Sequence, residues 1–394
     1  MNRINQAIIL AAGKGERLYP LTSTRPKVML SVANKPILQY VIEALVGNEI
    51  KEIIIVAGYY REQIQNYFAS GSKFGVKIKY AIQEHQLGTG HALMAARHLA
   101  EDRFLVLPGD NIVNANTIFS LSKMFDDTIL AKHGVNQGQH GIVIMENKIA
   151  KEIVENPMLG ASPWINTGTY LFQKHIFAYL DGELHLPDAV NKMILDGRNV
   201  SVESTDGIWM DAVYPWDLLE INGSTLGEIS SKLISEKSYR TTIRGPVELG
   251  SGSTIGPNSY VLGPVVIGDG CEIGPNVCIF PYTSIGDNVV VESFTQIRNS
   301  IIGRTVQIGS HSILNDSIVG DNCIIGARFT VDSSKKIVSS ERDNREFPVG
   351  AIIGDFVDIG SNVTLTDGIS VGKGSKIRDG NIVRENVSEK TLVI

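Results

Sequence analysis

The sequence is poor in cysteine, has no long apolar run and carries no excess of positive charge, and each shortage excludes something. Three cysteines, Cys271, Cys278 and Cys323, are an odd number without metal-ligand spacing. That argues against a disulfide framework or a zinc ribbon and suggests buried thiols in a reducing compartment. The N-terminal "MNRINQAIIL" runs directly into a strand-like stretch, with nothing long and apolar enough for a signal peptide or a membrane span, so a cytoplasmic protein is expected. Lys and Arg number 36 against 42 Asp and Glu, a formal net charge of −6. A nucleic-acid surface, which is normally basic, is therefore not expected. Two common phosphate-loop patterns are missing as well. "IILAAGKGERLYPLTSTRPK" (8–27) contains Gly13 and Gly15, but Leu18 stands where a dinucleotide fingerprint has its third glycine, and no Gly-Lys-Ser/Thr follows.

What is present falls into two halves of different period. The 394 residues exceed what one hydrophobic core usually supports. In the first half "QAIILAAG", "EIIIVAGY", "VKIKYAIQ" and "RFLVLPGD" read as buried strands. Between them "KPILQYVIEALVGN" places Ile37, Tyr40, Val41, Ala44 and Leu45 on one helical face. Such alternation predicts a Rossmann-like α/β domain, a mostly parallel sheet covered on both sides, over residues 1–221. Ligands bind such sheets beyond the carboxyl ends of the strands, so "LAAG", "AIQ" and "PGD" are the places to watch.

Past Asn222 the pattern changes. "GSTLGEISSKLISEKS" reads as a polar helix with Leu226, Ile229, Leu233 and Ile234 on one side, a linker over 222–245. From 246 to 394 the period is six. Leu249, Ile255, Val261, Ile267, Ile273, Ile279, Ile285, Val291 and Ile297 are evenly spaced, and Ile353, Ile359, Leu365, Val371, Ile377 and Val383 resume the series. A period of six predicts a parallel β-helix with one inward aliphatic per face and repeat. "GARFTVDSSKKIVSSERDNREFPVG" interrupts it and is expected to be a loop extruded from one corner, with Lys335 and Lys336 in it.

The first loop has the chemistry of a phosphate site. Small residues after the strand, Ala11, Ala12 and Gly13, let a nucleoside lie against backbone. Arg17 supplies a fork of donors for phosphate oxygens and Lys27 a compact charge. Pro26 is expected to bias Thr24-Arg25 to extended geometry and so to hold Lys27. Leu10 to Leu18 followed by Pro26-Lys27 closely resembles the signature of the sugar-1-phosphate nucleotidyltransferases, and the six-residue repeat matches the left-handed β-helix that several members carry. "QEHQLGTGHAL" resembles the N-acetylglucosamine-1-phosphate uridylyltransferases in particular, and "IGSHSILNDSIVG", which contains His311, is similar to the archaeal bifunctional proteins of that group.

That resemblance implies roles. Leu10, Ala11, Ala12, Gly13, Gln83, Gly88 and Thr89 would receive the nucleotide, with Gln83 and Gly88-Thr89 reading uracil. Asp110 and Asp211 would hold Mg²⁺. Gly141, Glu155 and Asn166 would bind the sugar. Asn156 stands where many glucose-1-phosphate members have lysine, and Asp217 competes with Asp211 but reads better as a helix cap. The expected partners are UTP, or dTTP, and a sugar-1-phosphate.

The β-helix of these relatives is often an acetyltransferase using acetyl-CoA, with a histidine as general base; His311 is the candidate here. Leu314 stands where a tyrosine is expected, "GARF" replaces a Gly-Ala-Gly-Thr turn, and an expected asparagine has no clear counterpart. The alternative for this domain is assembly, as a trimer or a multiple of it. Rival readings of the whole chain are a glucose-1-phosphate thymidylyl- or uridylyltransferase with a structural or regulatory β-helix, and a non-catalytic regulatory homologue resembling subunits of the eukaryotic translation-initiation exchange factor.

Overall fold

The structure, a computed structural model, describes residues 4–134, 140–158, 161–230, 232–233, 240–331, 333–340 and 343–394. All four strands read from the first half form: Gln6–Ala11, Glu52–Ala57, Lys77–Ile82 and Arg103–Pro108. They are mutually parallel in the order Lys77–Ile82, Glu52–Ala57, Gln6–Ala11, Arg103–Pro108, so the first strand lies between the second and the fourth. Their near-continuous Ile, Leu and Val content follows from burial on both faces. Trp164–Gln173 then pairs antiparallel with Arg103–Pro108 and starts the second half of a nine-stranded sheet. The order in which strands are added reverses between Gln6–Ala11 and Arg103–Pro108, the switch point at which open α/β sheets leave a crevice. The helix Ile37–Gly47 buries Ile37, Leu38, Val41, Ile42, Ala44 and Leu45, while Tyr40 is half-buried and its hydroxyl donates to the Val32 carbonyl at 2.9 Å. Among the described residues no helix is long and apolar enough to cross a membrane.

The second half is a three-sided parallel solenoid of the left-handed β-helix type. Three eight-stranded sheets each gain one short strand per coil. Every residue of the six-residue series is buried inside the prism. Between Ile297 and Ile353 the inward series continues through Ile302, Ile308, Leu314, Val319, Ile325 and Val331. Leu314 is stacked in register on Ile297, which accounts for an aliphatic residue where a tyrosine was expected: the side chain points into the core. The corners require left-handed backbone, supplied by Gly252 and Gly270 but also by Asn258, Asn276, Asn288, Phe294, Thr305 and His311. Cys271 and Cys323 pack in this core, where burial pushes the Cys271 thiol up and that of Cys323 to about 12; among the described residues all three cysteines are free thiols.

Three expectations need correction. The linker is not helical throughout. The helix lies earlier, at Asp217–Leu226, and Lys232–Leu233 already pairs as a strand with Glu248–Leu249, opening the solenoid. Two glycines and a scarcity of apolar residues around Gly227 explain the early stop; Ile234 lies outside the described residues. The insertion is not an irregular loop. Ser334–Ser340 and Asp343–Val349 form an antiparallel hairpin, and the β-branched pair Ile337-Val338 suits the first strand; the side chains of Lys335 and Lys336 lie outside the described residues. Third, Thr24 is not extended. It closes the 3₁₀ turn Leu21–Ser23 with ψ −9°, whereas Pro26 is extended (φ −72°, ψ 155°).

The aliphatic series carries the solenoid's stability. Leu314→Ala removes a fully buried side chain and should destabilise the fold by about 2–5 kcal/mol. Ile313→Ala, on the exposed face of the same strand, should change it by roughly 0.5 kcal/mol or less. Urea unfolding of the two variants checks the difference.

Candidate active site

At the switch point the loops after the first, third and fourth strands enclose a cleft of about 990 Å³. Fourteen of the residues singled out from the sequence line it: Leu10, Ala11, Ala12, Gly13, Arg17, Lys27, Gln83, Gly88, Thr89, Asp110, Gly141, Glu155, Asn166 and Asp211. His311 does not; it lies on the solenoid.

Lys27 is the centre of the charge arrangement. Its Nζ lies 2.6 Å from an Asp110 oxygen and 2.7 Å from an Asp211 oxygen, with only 12% of the side chain exposed. Burial alone would favour the neutral amine, but the two carboxylates outweigh it and hold the ammonium well above the ordinary lysine range. The two acids meet because Trp209–Asp211 pairs antiparallel with Asn111–Val113, setting Asp211 opposite Asn111. Asp217 does not compete for this place. Its carboxylate accepts from the backbone N–H groups of Val213 and Tyr214 at 2.9 and 2.7 Å, which fixes the turn leading into Asp217–Leu226.

Gly15 lets the loop close around this triad. Its φ of +73° is left-handed, and a Cβ there would lie 2.7 Å from the Lys27 Cβ. A Cβ on Gly13, by contrast, would touch nothing in the protein, so the space over Gly13 is left open to the cleft. Arg17 is exposed at the mouth and pairs with no carboxylate among the described residues.

At the end of the cleft beside the third strand Gln83 is buried, donating from Nε2 to the Gly88 carbonyl at 3.1 Å and lying 2.9 Å from His91 Nδ1. Gly88 has φ +145°, and a Cβ would approach the Leu184 carbonyl oxygen to 2.3 Å, so only glycine fits. Thr89 accepts from the Leu186 N–H at 2.9 Å, tying this loop to the helix Leu186–Leu195.

At the opposite end Gly141, directly before the strand Ile142–Glu146, leaves room for Glu155: a Cβ on Gly141 would sit 2.5 Å from its Oε1. Asn166 donates to the Tyr170 hydroxyl at 2.8 Å and accepts from the Gly168 N–H at 3.1 Å, fixing its amide. Desolvation within the cleft and the nearby charge of Asp188 hold the Glu155 carboxyl above its ordinary value, with His185 opposing.

Sequence reasoning missed several lining residues: Asn111, His140, Tyr170, His185, Asp188 and Trp209. Asn111 follows Asp110 directly and keeps a buried, unpartnered Oδ1. His185 and Asp188 had a signal, since Pro187 marks the first turn of Leu186–Leu195 and its N-terminus faces the cleft. His140, edge-on to Trp209 with ring centres 5.0 Å apart, had none.

The carboxylate pair suits a divalent cation. Each acid places one oxygen within 2.7 Å of a single point, where the Lys27 ammonium stands as a cation, and both remain partly open to the cleft. Mg²⁺ commonly takes one or two carboxylates and fills its remaining positions from water and substrate phosphates.

His311 sits at a solenoid corner with φ +58°, its ring stacked on Phe294 at 4.9 Å. Together with Glu272, Glu292, Ser293 and Ser310 these rings line a shallow groove of about 890 Å³.

Comparison with known proteins follows the two-part architecture. The profile of the nucleotidyl transferase family matches residues 6–227, and that of the GMPPB C-terminal domain matches residues 261–369. The bifunctional protein GlmU of Methanococcus maripaludis is 37% identical over 98% of this chain and 96% of its own length. The bifunctional sugar-1-phosphate nucleotidylyltransferase/acetyltransferase of Sulfurisphaera tokodaii is 31% identical over 97% of this chain and 98% of its own. Among solved structures, a putative glucose-1-phosphate thymidylyltransferase from Bacillus anthracis superposes with a TM-score of 0.52 at 27% identity, covering 58% of this chain and 97% of that one. With more than half the chain matched by one family and nearly its whole length by these relatives, this protein belongs to the sugar-1-phosphate nucleotidyltransferases, in the group that carries a β-helix behind the catalytic fold.

Proposed function

We propose that the protein joins N-acetylglucosamine-1-phosphate to UTP, giving UDP-N-acetylglucosamine and pyrophosphate, at the cleft between Gly13 and Asp211. The observation that carries this reading is the Lys27–Asp110–Asp211 triad beside the open space over Gly13. The base would lie toward Gln83, Gly88 and Thr89, and the sugar toward Gly141, Glu155 and Asn166. An amide such as Gln83 offers both a donor and an acceptor to the edge of uracil.

A phosphate oxygen of the sugar, already anionic near neutral pH, attacks the α-phosphorus in line as pyrophosphate leaves, with no enzyme-bound intermediate. Transfer of this kind asks for positioning and charge neutralisation rather than covalent chemistry. Lys27 would hold the α-phosphate and draw the two anions together, and Arg17 would meet the leaving phosphates at the mouth. Mg²⁺, held by Asp110 and Asp211, would neutralise phosphate charge when bound.

A second activity is favoured by the groove at His311 and by relatives whose names join the two functions. There His311 would take the proton as the amine of glucosamine-1-phosphate attacks the acetyl carbonyl of acetyl-CoA, and the thiol of CoA leaves.

A panel of nucleoside triphosphates and sugar-1-phosphates, read by pyrophosphate release, should show the highest kcat/KM for UTP with N-acetylglucosamine-1-phosphate. A preference for dTTP with glucose-1-phosphate would replace that substrate assignment. Lys27→Ala should lower kcat by about a hundredfold or more, and Asp110→Asn likewise. Both variants should stay folded by circular dichroism, since the remaining charges face the wet cleft. Gly15→Ala, strained in φ and set against Lys27, should also lose activity, by at least about tenfold. His311→Ala should abolish acetyl-CoA consumption while pyrophosphate release stays at the wild-type rate; unchanged consumption would remove His311 from that role.

A further inference from the structure

The loop that carries Lys27 leans with its far side on the β-helix. Arg25, two residues before Lys27, is largely buried there. One of its guanidinium nitrogens lies 2.7 Å from an Asp355 oxygen and 3.0 Å from an Asp321 oxygen. The Thr24 hydroxyl donates to the same oxygen of Asp355.

These two carboxylates are themselves fixed. The other oxygen of Asp355 accepts the Asp321 backbone N–H at 2.6 Å, and the other oxygen of Asp321 accepts the Arg304 N–H at 2.8 Å. They are two rungs of a repeated device, since Asp269 and Asp287 grip the preceding coil in the same way at 2.6 and 2.9 Å. The solenoid thus offers Arg25 acceptors whose positions are set by its own backbone ladder.

Apolar packing closes the remaining gap. Leu18 and Leu21 of the signature loop share one buried cluster with Ile301, Ile318 and Ile352. Those three isoleucines stack in register along the outer face of one solenoid sheet. That face is covered by the nucleotidyltransferase domain.

Between Arg25 and Lys27 stands only Pro26, whose ring fixes its φ near the observed −72°. A short stiff link of this kind passes displacement of one neighbour to the other. We propose that Arg25 is a positioning residue: clamped by Asp321 and Asp355, it holds Lys27 between Asp110 and Asp211, so the β-helix is a working part of the nucleotidyl-transfer site. Burial opposes the guanidinium charge and the two acids outweigh it, so the clamp stays ionised across the neutral range. The inference rests on the reaction proposed above for its kinetic consequence and on Lys27 geometry for its structural one.

The test uses the full chain with Arg25→Gln, Arg25→Lys and Asp355→Asn. Each is assayed by pyrophosphate release and by the rate at which acetic anhydride labels Lys27, read by mass spectrometry against exposed Lys376. Misplacing a reacting group by about 1 Å can cost on the order of a hundredfold. Arg25→Gln and Asp355→Asn should therefore lower kcat by about tenfold to a hundredfold, with KM for UTP changed less than about threefold. Arg25→Lys, which keeps a charge for both acids, should recover part of the loss. Lys27 labelling should rise several-fold in the two weakened variants while Lys376 stays constant. If Arg25→Gln alone does not fold, Arg25→Gln with Asp355→Asn, which leaves fewer orphaned charges, replaces it. Variants within about twofold of wild type in both kcat and Lys27 labelling would overturn the proposal, even if they melted earlier. A wild-type protein inert toward every substrate pair would instead remove the proposed reaction and leave Lys27 labelling to decide this inference.

Discussion

A buried ammonium held between two carboxylates from distant parts of the chain organises this molecule. Lys27 is expensive to bury alone, and Asp110 and Asp211 would repel each other without it. The three charges offset one another, and the two acids stay partly open to the cleft. That mutual dependence dictates the surroundings: a left-handed glycine, Gly15, to let the loop pass over Lys27, and a short antiparallel pair to bring Asp211 beside Asp110. A cluster that pairs its charges and yet opens onto a cleft suits a ligand rich in negative charge, which gives the site its chemical direction.

The two domains solve different problems with the same economy. The sheet gathers its loops at the point where the order of its parallel strands reverses. The solenoid repeats an inward aliphatic residue coil after coil until a long prism results. Rigidity is the property that the first domain borrows: acceptors on Asp321 and Asp355 cannot drift, because each is bonded into the backbone of the preceding coil. A second contact works the same way. Asn222 accepts the Ala33 N–H and donates to the Tyr282 carbonyl, bridging both domains with a single buried amide.

Much of this was legible in the amino-acid order, for physical reasons. Buried parallel strands must be aliphatic throughout, and a three-sided solenoid must repeat every six residues, so both announce themselves. The glycine loop, Lys27 and the two acids stood out because charge at the end of a buried strand has few structural uses. What stayed hidden depended on tertiary pairing. Nothing around Thr24-Arg25 points to Asp355, which lies 330 residues away. The corner residues Phe294 and Phe356 adopt left-handed backbone that their side chains do not favour, imposed by the coil geometry. The linker misread arose from apolar spacing that suits a helix, where Lys232–Leu233 instead found a strand partner.

The most direct test of the central arrangement is a crystal structure of the protein soaked with UTP and Mg²⁺. The account predicts the uracil against Gln83 and Gly88, the α-phosphate within ion-pairing distance of Lys27, and the cation on Asp110 and Asp211. A triphosphate bound elsewhere, with Lys27 still closed onto both acids, would contradict it.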